Sequence, residues 1–389
     1  MTAIPFLRPQ LPSLAAIAPY YRLAEEARFF SNGGPCERLL RAALSDHLGG
    51  VGTVPVNNAT SGLIVAIKAV LDAHGTGDRP YVVMPSYTFV ATAGAARIMG
   101  LQPLFIDVEP DSWQMDADAL ADVLDTFPGQ VAAVLGTHTF GLPASAATQQ
   151  RWKQLCADAG VPLVVDAAAG FGGLDDTGAR SGRDTVPHVY SFHATKTFAI
   201  GEGGLITTLD EDLLQRIEAL HSFGFAQGRL ATYAGINAKM DELHAATALA
   251  ALDSFDTVLA RRREIAQTYR ERLEPFGFRF QTGNAGGTWQ AGYVSAPDAA
   301  TRTAVLAVAA GRQIGVTAYY ERPVHRHPAY AGSPVHGPLT VTDDLAARAL
   351  ALPMANDLSA DEVDRVIDVT VEAARTAAQA TAGSGVAAV

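Results

Sequence analysis

Short apolar runs recur along the chain, and each gives way to small or hydroxyl-bearing residues. Val54–Val56 leads into Asn57, Asn58, Ala59, Thr60, Ser61 and Gly62, and Tyr81–Met84 into Pro85, Ser86, Tyr87, Thr88 and Phe89. Leu163–Val165 leads into Asp166 and three alanines, and Val189–Phe192 into His193; Leu104–Val108 and Val131–Leu135 are further runs of the same kind. Helix-patterned stretches separate them: Leu63, Ile64, Ile67, Val70 and Leu71 at helical spacing, then Asp116–Phe127 and Ala147–Ala159. Strands alternating with helices predict a mainly parallel sheet covered on both faces. Polar groups at the end of a buried strand then belong, as a rule, to a site.

The longest such boundary is VYSFHATKTFAIGEGGLITTL, Val189 to Leu209. A strand-like run delivers Ser191, His193, Thr195 and Lys196 into a segment closed by Gly201, Glu202, Gly203 and Gly204, after which strand character resumes. An amine between two apolar strands loses solvation, which favours its neutral form and lets it condense with an aldehyde. Lys196 is thus the first candidate for chemistry, although a lone lysine would read as an ordinary surface residue in a glycine loop.

Other boundaries carry two readings each. Thr60 and Ser61 open a helix, where they either cap its first turn or, with unpaired N–H groups and the helix dipole, hold a phosphate. Asp166 ends a buried strand and needs a partner, either a turn that it caps or a cationic pyridinium nitrogen. Asn237, in the segment GINAKM, reads alone as a turn asparagine. Phe89 is assigned to the core, and His138 divides between a loop histidine and a group behind the site.

A chain of 389 residues exceeds one hydrophobic core. It is divided into 1–251, an N-terminal arm and large domain, and 252–389, an interdomain helix and small C-terminal domain. The arm, up to Phe30, lacks strong periodicity and is expected to pack on a neighbour. Asp241–Leu273 is helix-compatible almost throughout, with Arg261, Arg262 and Arg263 read as a solvated face. Phe278–Phe280, Thr288–Ser295, Ala299–Ala310 and Val316–Tyr320 suggest a small α+β unit. Ser359 and Glu362 form a capping-box pattern before a last helix whose tail, beyond Arg375, is expected to fray. Tyr319 to His327 is the one dense aromatic and cationic cluster. It reads either as an exposed loop or as a patch for a diphosphate.

A net charge of −11 argues against general nucleic-acid binding. No apolar run reaches the ~18 residues of a membrane span, and the first residues lack signal-peptide character, so the expected location is cytoplasmic with no membrane partner. Cys36 and Cys156 are too few for a metal cage and read as reduced, structural thiols.

The string S-F-H-x-T-K followed by G-E-G-G resembles the lysine segment of the DegT/DnrJ/EryC1/StrS family, the pyridoxal 5′-phosphate (PLP) aminotransferases of nucleotide-linked sugars. SNGGP at Ser31–Pro35, T-x-G-L at Thr60–Leu63 and D-A-A at Asp166–Ala168 match further motifs in order, nearest the dTDP-4-keto-6-deoxyglucose 4-aminotransferase branch. The resemblance runs from about Ile4 to Val371. It implies PLP fold type I (aspartate aminotransferase-like), with a large mixed-sheet α/β domain and a small C-terminal α+β domain.

It also implies roles. Lys196 carries PLP and moves protons, Asp166 faces the ring nitrogen, and Tyr87 and Ala168 cover the ring faces. Thr60 and Ser61 take the phosphate, Ser191 adjoins the cofactor, and Asn237 reaches the phosphate of a neighbouring subunit, so that a homodimer shares its active sites. Tyr320, His325, Arg322 and His193 are the implied substrate contacts. The implied reaction moves an amino group from L-glutamate to a nucleotide-diphosphate keto sugar, at C4 of a dTDP-4-keto-6-deoxyhexose. A C3 keto-sugar or cyclitol (scyllo-inosose-type) aminotransferase, a PLP-dependent sugar dehydratase and a noncatalytic PLP-binding protein are the alternatives. Three positions depart from the family pattern: Ala59 stands for Gly, Lys239 for Arg, and Ala169 for a Gln or His at the cofactor's phenolic oxygen, whose place a water or His193 would take.

Overall fold

The computed structural model describes residues 2–283 and 286–386. Among these residues β1 (Gly52–Val56), β2 (Tyr81–Pro85), β3 (Gln102–Ile106), β4 (Val131–Thr137), β5 (Leu163–Asp166), β6 (His188–Ser191) and β7 (Gly204–Thr208) form a seven-stranded sheet. Its order is β1-β7-β6-β5-β4-β2-β3. β7 is antiparallel to both neighbours, and the pairings from β6 across to β3 are parallel. The sheet is therefore mixed, as fold type I requires. Its parallel strands β5 and β6 are neighbours that end at Asp166 and Ser191, with Asp166 opposite Val189 and Ser191 two residues further on.

Both faces are buried, and the period of two along each strand sorts the side chains between them. Val82 and Met84 join one core with Phe105, Val189 and Ile206. Val83, Leu104, Ile106 and Val134 join a second core, and Tyr190 and Leu205 a third. The helices that cover them are α1 (Leu14–Ala27), α2 (Pro35–His47), α3 (Ala59–His74), α4 (Val90–Ile98), α5 (Ala117–Thr126), α6 (Ala146–Asp158), α7 (Glu211–His221) and α8 (Glu242–Leu252). The first core packs under α3, α4 and α7, the second under α5 and α6, and the third under α1, α2 and α8. Each fully buried Leu, Ile, Val or Phe contributes roughly 1.5–3 kcal/mol to this arrangement. Gly62 lets α3 lie directly on β6, because a Cβ there would stand 2.9 Å from the Val189 Cγ1.

The N-terminal segment departs from expectation. It is not an unpatterned arm but the helix α1, capped by Ser13 and packed on α8 of its own chain through Ile17 and Ala24. Ile17, Tyr20, Tyr21 and Ala24 carry helical spacing, which Pro19 conceals by interrupting one turn of the backbone ladder. The start of α2 is held by the buried Glu242, whose carboxylate accepts from the Cys36 and Glu37 backbone N–H groups at 2.7 and 3.2 Å. Gly34 is required beside it, since a Cβ would lie 2.5 Å from the Glu242 Cδ.

A short hairpin, β8 (Phe225–Gln227) and β9 (Leu230–Ala231), follows α7. The stretch expected as nearly continuous helix divides at Asp253 and Ser254 into α8 and α9 (Phe255–Leu273), with Asp253 accepting a hydrogen bond from the Tyr20 hydroxyl. Beyond it lie β10 (Gly292–Ser295), α10 (Ala299–Gly311), α11 (Thr340–Arg348), β11 (Ala349–Leu352) and α12 (Ala360–Val386). β10 and β11 pair antiparallel over a separate core that includes Ile265, Tyr269, Val305 and Val366. Arg279 and Thr317 make only isolated bridges, at the places where strands were expected. The capping box forms: Ser359 Oγ accepts from the Glu362 N–H and the Glu362 carboxylate from the Ser359 N–H. α12 continues past Arg375 to Val386, and the expected fraying at 387–389 lies outside the described residues. Among the described residues no helix is long and apolar enough to cross a membrane.

Candidate active site

A cavity of about 620 Å³ opens at the carboxyl ends of the parallel strands. β5 supplies Asp166, the following turn Ala168 and Ala169, β6 Ser191, and the loop to β7 His193, Thr195 and Lys196. The first turn of α3 adds Thr60 and Ser61. Ligand sites in open α/β sheets form at this edge because the loops diverge there.

Lys196 Nζ donates to Gln290 Oε1 at 3.1 Å. Burial lowers its pKa to about 8, with the Asp166 charge opposing the shift, so the neutral, nucleophilic amine is far more accessible near physiological pH than in a solvent-exposed lysine. Asp166 is shifted up by burial, against which its oxygens accept from the Thr92 hydroxyl at 2.7 Å and the Ala168 N–H at 3.1 Å. Thr88 and Thr92 share a further hydroxyl contact of 2.9 Å. A buried carboxylate held on one side and open to a cavity on the other suits a cationic partner.

At the start of α3 the cap is neither Thr60 nor Ser61 but Asn58, whose side chain accepts from the Ser61 N–H at 2.8 Å. The amides of Ala59 and Thr60 have no partner within the helix by its geometry, and both hydroxyls are released from capping. A Cβ on Gly204 would stand 3.0 Å from the Ala59 nitrogen, so glycine at the start of β7 permits the close approach that sets this helix end beside the lysine loop. Helix N–H groups, a lysine and a buried aspartate within one cavity fit the phosphate, carbonyl and ring nitrogen of PLP.

The aromatic assignments reverse. Tyr87 does not line the cavity: its ring is fully buried, edge-on to Phe140 at 5.8 Å and to Tyr320 at 5.6 Å. Phe89, expected in the core, is 50% exposed and lines the cavity. The turn after β2 directs Tyr87 into a buried cluster with Trp113, Phe140 and Tyr293, and Phe89, at the N-cap of α4, is the next aromatic to emerge. His138 is a buried wall residue whose N–H donates to the Asp166 carbonyl at 2.9 Å and whose Nδ1 meets Ser181 Oγ at 3.0 Å. Burial holds its pKa well below the usual histidine range.

The implied substrate contacts separate into two pairs. Tyr320 and His193 line the cavity. His193 Nδ1 lies 3.2 Å from the Thr195 N–H, which donates to it, and its Nε2 is 3.7 Å from Glu202. His325 and Arg322 do not line it: His325 Nδ1 contacts Ser86 Oγ at 2.7 Å, and Arg322 is exposed to solvent. Local partners intercept this cationic cluster, since Arg326 pairs with Asp343 at 2.7 Å. Asn237 also lies outside the cavity of its own chain, exposed and accepting from Lys239 Nζ at 2.6 Å. Phe223, Phe225, Leu230 and Ile236, exposed large apolar residues, share its segment.

Sequence reasoning missed Thr92 and Gln290. The spacing of Thr88 and Thr92, one helical turn apart, is a signal for the first, whereas Gln290 arrives from a loop before β10 with none. The arginine run is corrected as well. Arg262 is 6% exposed and donates to the Trp289 and Gln290 carbonyls, and Arg263 donates to the carbonyls of Gly172, Gly286 and Gly287.

A family model described as the DegT/DnrJ/EryC1/StrS aminotransferase family matches residues 15–371. Protein Rv3402c of Mycobacterium tuberculosis is 34% identical over 374 residues, covering 95% of this chain and 90% of that protein. The dTDP-4-amino-4,6-dideoxy-D-glucose transaminase of Shigella dysenteriae is 30% identical over 267 residues, 69% of each chain. Among solved structures, DesI in the presence of its TDP-sugar product superposes with a TM-score of 0.85 at 34% identity, covering 98% of this chain and 95% of that one.

Proposed function

This chain belongs to the DegT/DnrJ/EryC1/StrS aminotransferase family, and from that premise we propose that it transfers an amino group from L-glutamate to C4 of a dTDP-4-keto-6-deoxyhexose. The observation that carries the reading is one cavity holding a lysine with its pKa lowered to about 8, a buried aspartate and a helix N-terminus. The choice of a dTDP sugar and of C4 is supported by the likeness to the Shigella dysenteriae transaminase. PLP, when bound, supplies an electron-accepting ring and a carbonyl that carries the amino group between the two substrates.

The residues present would hold it as follows. Thr60 and Ser61, with the first amides of α3, receive the phosphate; Asp166 faces the ring nitrogen and keeps it protonated; Ala168 and Phe89 cover the ring, Phe89 in place of Tyr87; Ser191 adjoins it. Lys196 is the covalent anchor. Once released, its neutral Nζ takes the proton from the α-carbon of the amino donor, and in the second half-reaction it returns a proton to the sugar carbon that receives nitrogen. Tyr320 and His193 border the space left for the sugar nucleotide.

Asn237 would complete the phosphate site of a second copy. The exposed apolar residues on its segment support a homodimer in which each site takes one residue from the partner. The division into 1–251 and 252–389 is supported by the separate core around Ile265, Tyr269, Val305 and Val366 in the second part.

The test is an absorbance titration of the PLP-loaded protein with L-glutamate, beside a Lys196→Ala control. Conversion to the pyridoxamine form in the wild type alone is expected, and a panel of 4-keto and 3-keto dTDP sugars and scyllo-inosose then separates C4, C3 and cyclitol chemistry. A cofactor band that glutamate leaves untouched sinks the reading.

A further inference from the structure

Gln290 is 8% exposed and comes from the segment before β10, far in sequence from the lysine it touches. Its amide is oriented at both ends: Oε1 accepts from Lys196 Nζ at 3.1 Å, and Nε2 donates to Thr195 Oγ1 at 3.3 Å. Thr195 Oγ1 is itself 2.9 Å from His193 Nδ1, which already accepts from the Thr195 N–H, so the hydroxyl hydrogen goes to His193 and reversing the amide would set a carbonyl oxygen against a hydroxyl oxygen with no hydrogen to offer.

The backbone around Gln290 is fixed equally well. Arg262 Nη1 donates to the Gln290 and Trp289 carbonyls at 3.2 and 3.0 Å, while its Nε donates to Asn356 Oδ1 at 2.8 Å. Thr288, two residues before Gln290, joins both cofactor loops: Thr197 Oγ1 donates to the Thr288 carbonyl at 2.9 Å, and Thr288 Oγ1 to the Ala169 carbonyl at 2.5 Å. Such a braced group holds a precise orientation that a solvent-exposed glutamine would not.

We propose that Gln290 is a positioning residue that aims the reactive lone pair of Lys196 into the cavity. A neutral amine has two hydrogens and one lone pair; committing one hydrogen to Gln290 Oε1 turns the lone pair away from that wall. The choice of amide over acid matters too. A carboxylate at the same place would hold the lysine as an ammonium ion, with no lone pair to offer, whereas the neutral carboxamide orients the amine without adding charge. The inference rests on the reading of Lys196 as the reacting amine.

The experiment compares wild type, Gln290→Glu and Gln290→Met in the full-length chain. Lys196 acetylation by acetic anhydride is followed against pH on cofactor-free protein by peptide mass spectrometry, and capture of added PLP is followed by borohydride trapping at the same residue. The expected wild-type midpoint is about 8. Gln290→Glu should raise it by about one pH unit or more. Gln290→Met, of similar length but without the acceptor, should slow PLP capture roughly tenfold while leaving the fold and thermal transition near wild type. Unchanged acetylation in the Glu variant together with wild-type capture in the Met variant overturns the proposal. Failure of the wild type to trap PLP at Lys196 would instead overturn the function on which it rests.

Discussion

The cavity has two walls built by different means. The wall of Asp166, Ser191, Lys196 and the α3 N-terminus comes from strand ends and the turns that follow them, so its side chains are placed by the sheet itself. The other wall, Tyr319 and Tyr320 with Gln290, comes from loops beyond α9 whose positions depend on partners scattered along the chain. Function on the first wall follows from local sequence. On the second, residue type is a poor guide, as Arg322 and His325 demonstrate by lying outside the cavity.

The sharpest way to break this contrast is at the lysine. Lys196→Ala should lower steady-state transamination at least about 10³-fold while PLP is still retained without covalent attachment, measured by turnover and by dialysis of the cofactor. Asp166→Asn comes next, with an expected loss on the order of 10²-fold in kcat and little change in PLP content. On the aromatic pair, Phe89→Ala should weaken PLP affinity about tenfold, whereas Tyr87→Phe should leave affinity intact; the opposite ranking would restore Tyr87 to the ring face.

The lysine also has a structural cost that can be read through pH. Its folded pKa of about 8 lies below its unfolded value, so the unfolded chain binds more protons between the two values and stability rises with pH across that window. Lys196→Met should therefore stabilise the cofactor-free chain by roughly 1–3 kcal/mol below pH 8, with the gain vanishing as pH approaches ~10.5. A gain independent of pH would mean that the amine is not desolvated. The smallest effect belongs to residues outside the cavity: Arg322→Ala and His325→Ala should change KM for the sugar nucleotide by less than about threefold, against a clear rise for Tyr320→Ala on the second wall.

What could be read from sequence follows the same division. Strand positions, the glycine closure after Lys196 and the carboxylate after Val165 were legible because periodicity and strand-end polarity are local properties. Helix α1 was not, since Pro19 disguised its spacing. Nor was the inward turn of Arg262 and Arg263, because their acceptors are carbonyls about 25 and more residues away that no charge pattern announces. Tyr87 and Phe89 exchanged places, one buried and the other lining the cavity, because a turn of unspecified geometry lies between strand and helix. The cap at Asn58 instead of Thr60 or Ser61 turned on a shift of only two or three residues, yet it determines which hydroxyls remain free.

The sheet order has a bearing on how this protein is made. β1 is the first strand to leave the ribosome, yet its neighbour is β7, which pairs Gly52 with Thr208. More than a hundred residues of nascent chain, including β2 to β5, must emerge while β1 waits with an open edge. Closing so long a loop is slow, and an unpaired apolar strand is a template for the wrong partner. The glycine-closed segment around Lys196 lies immediately before β7, so its emergence allows the strand that ends this exposure to form. A truncation upstream of residue 204 would leave β1 open to misassembly, whereas a released chain ending just after α7 would hold the strand that pairs with it.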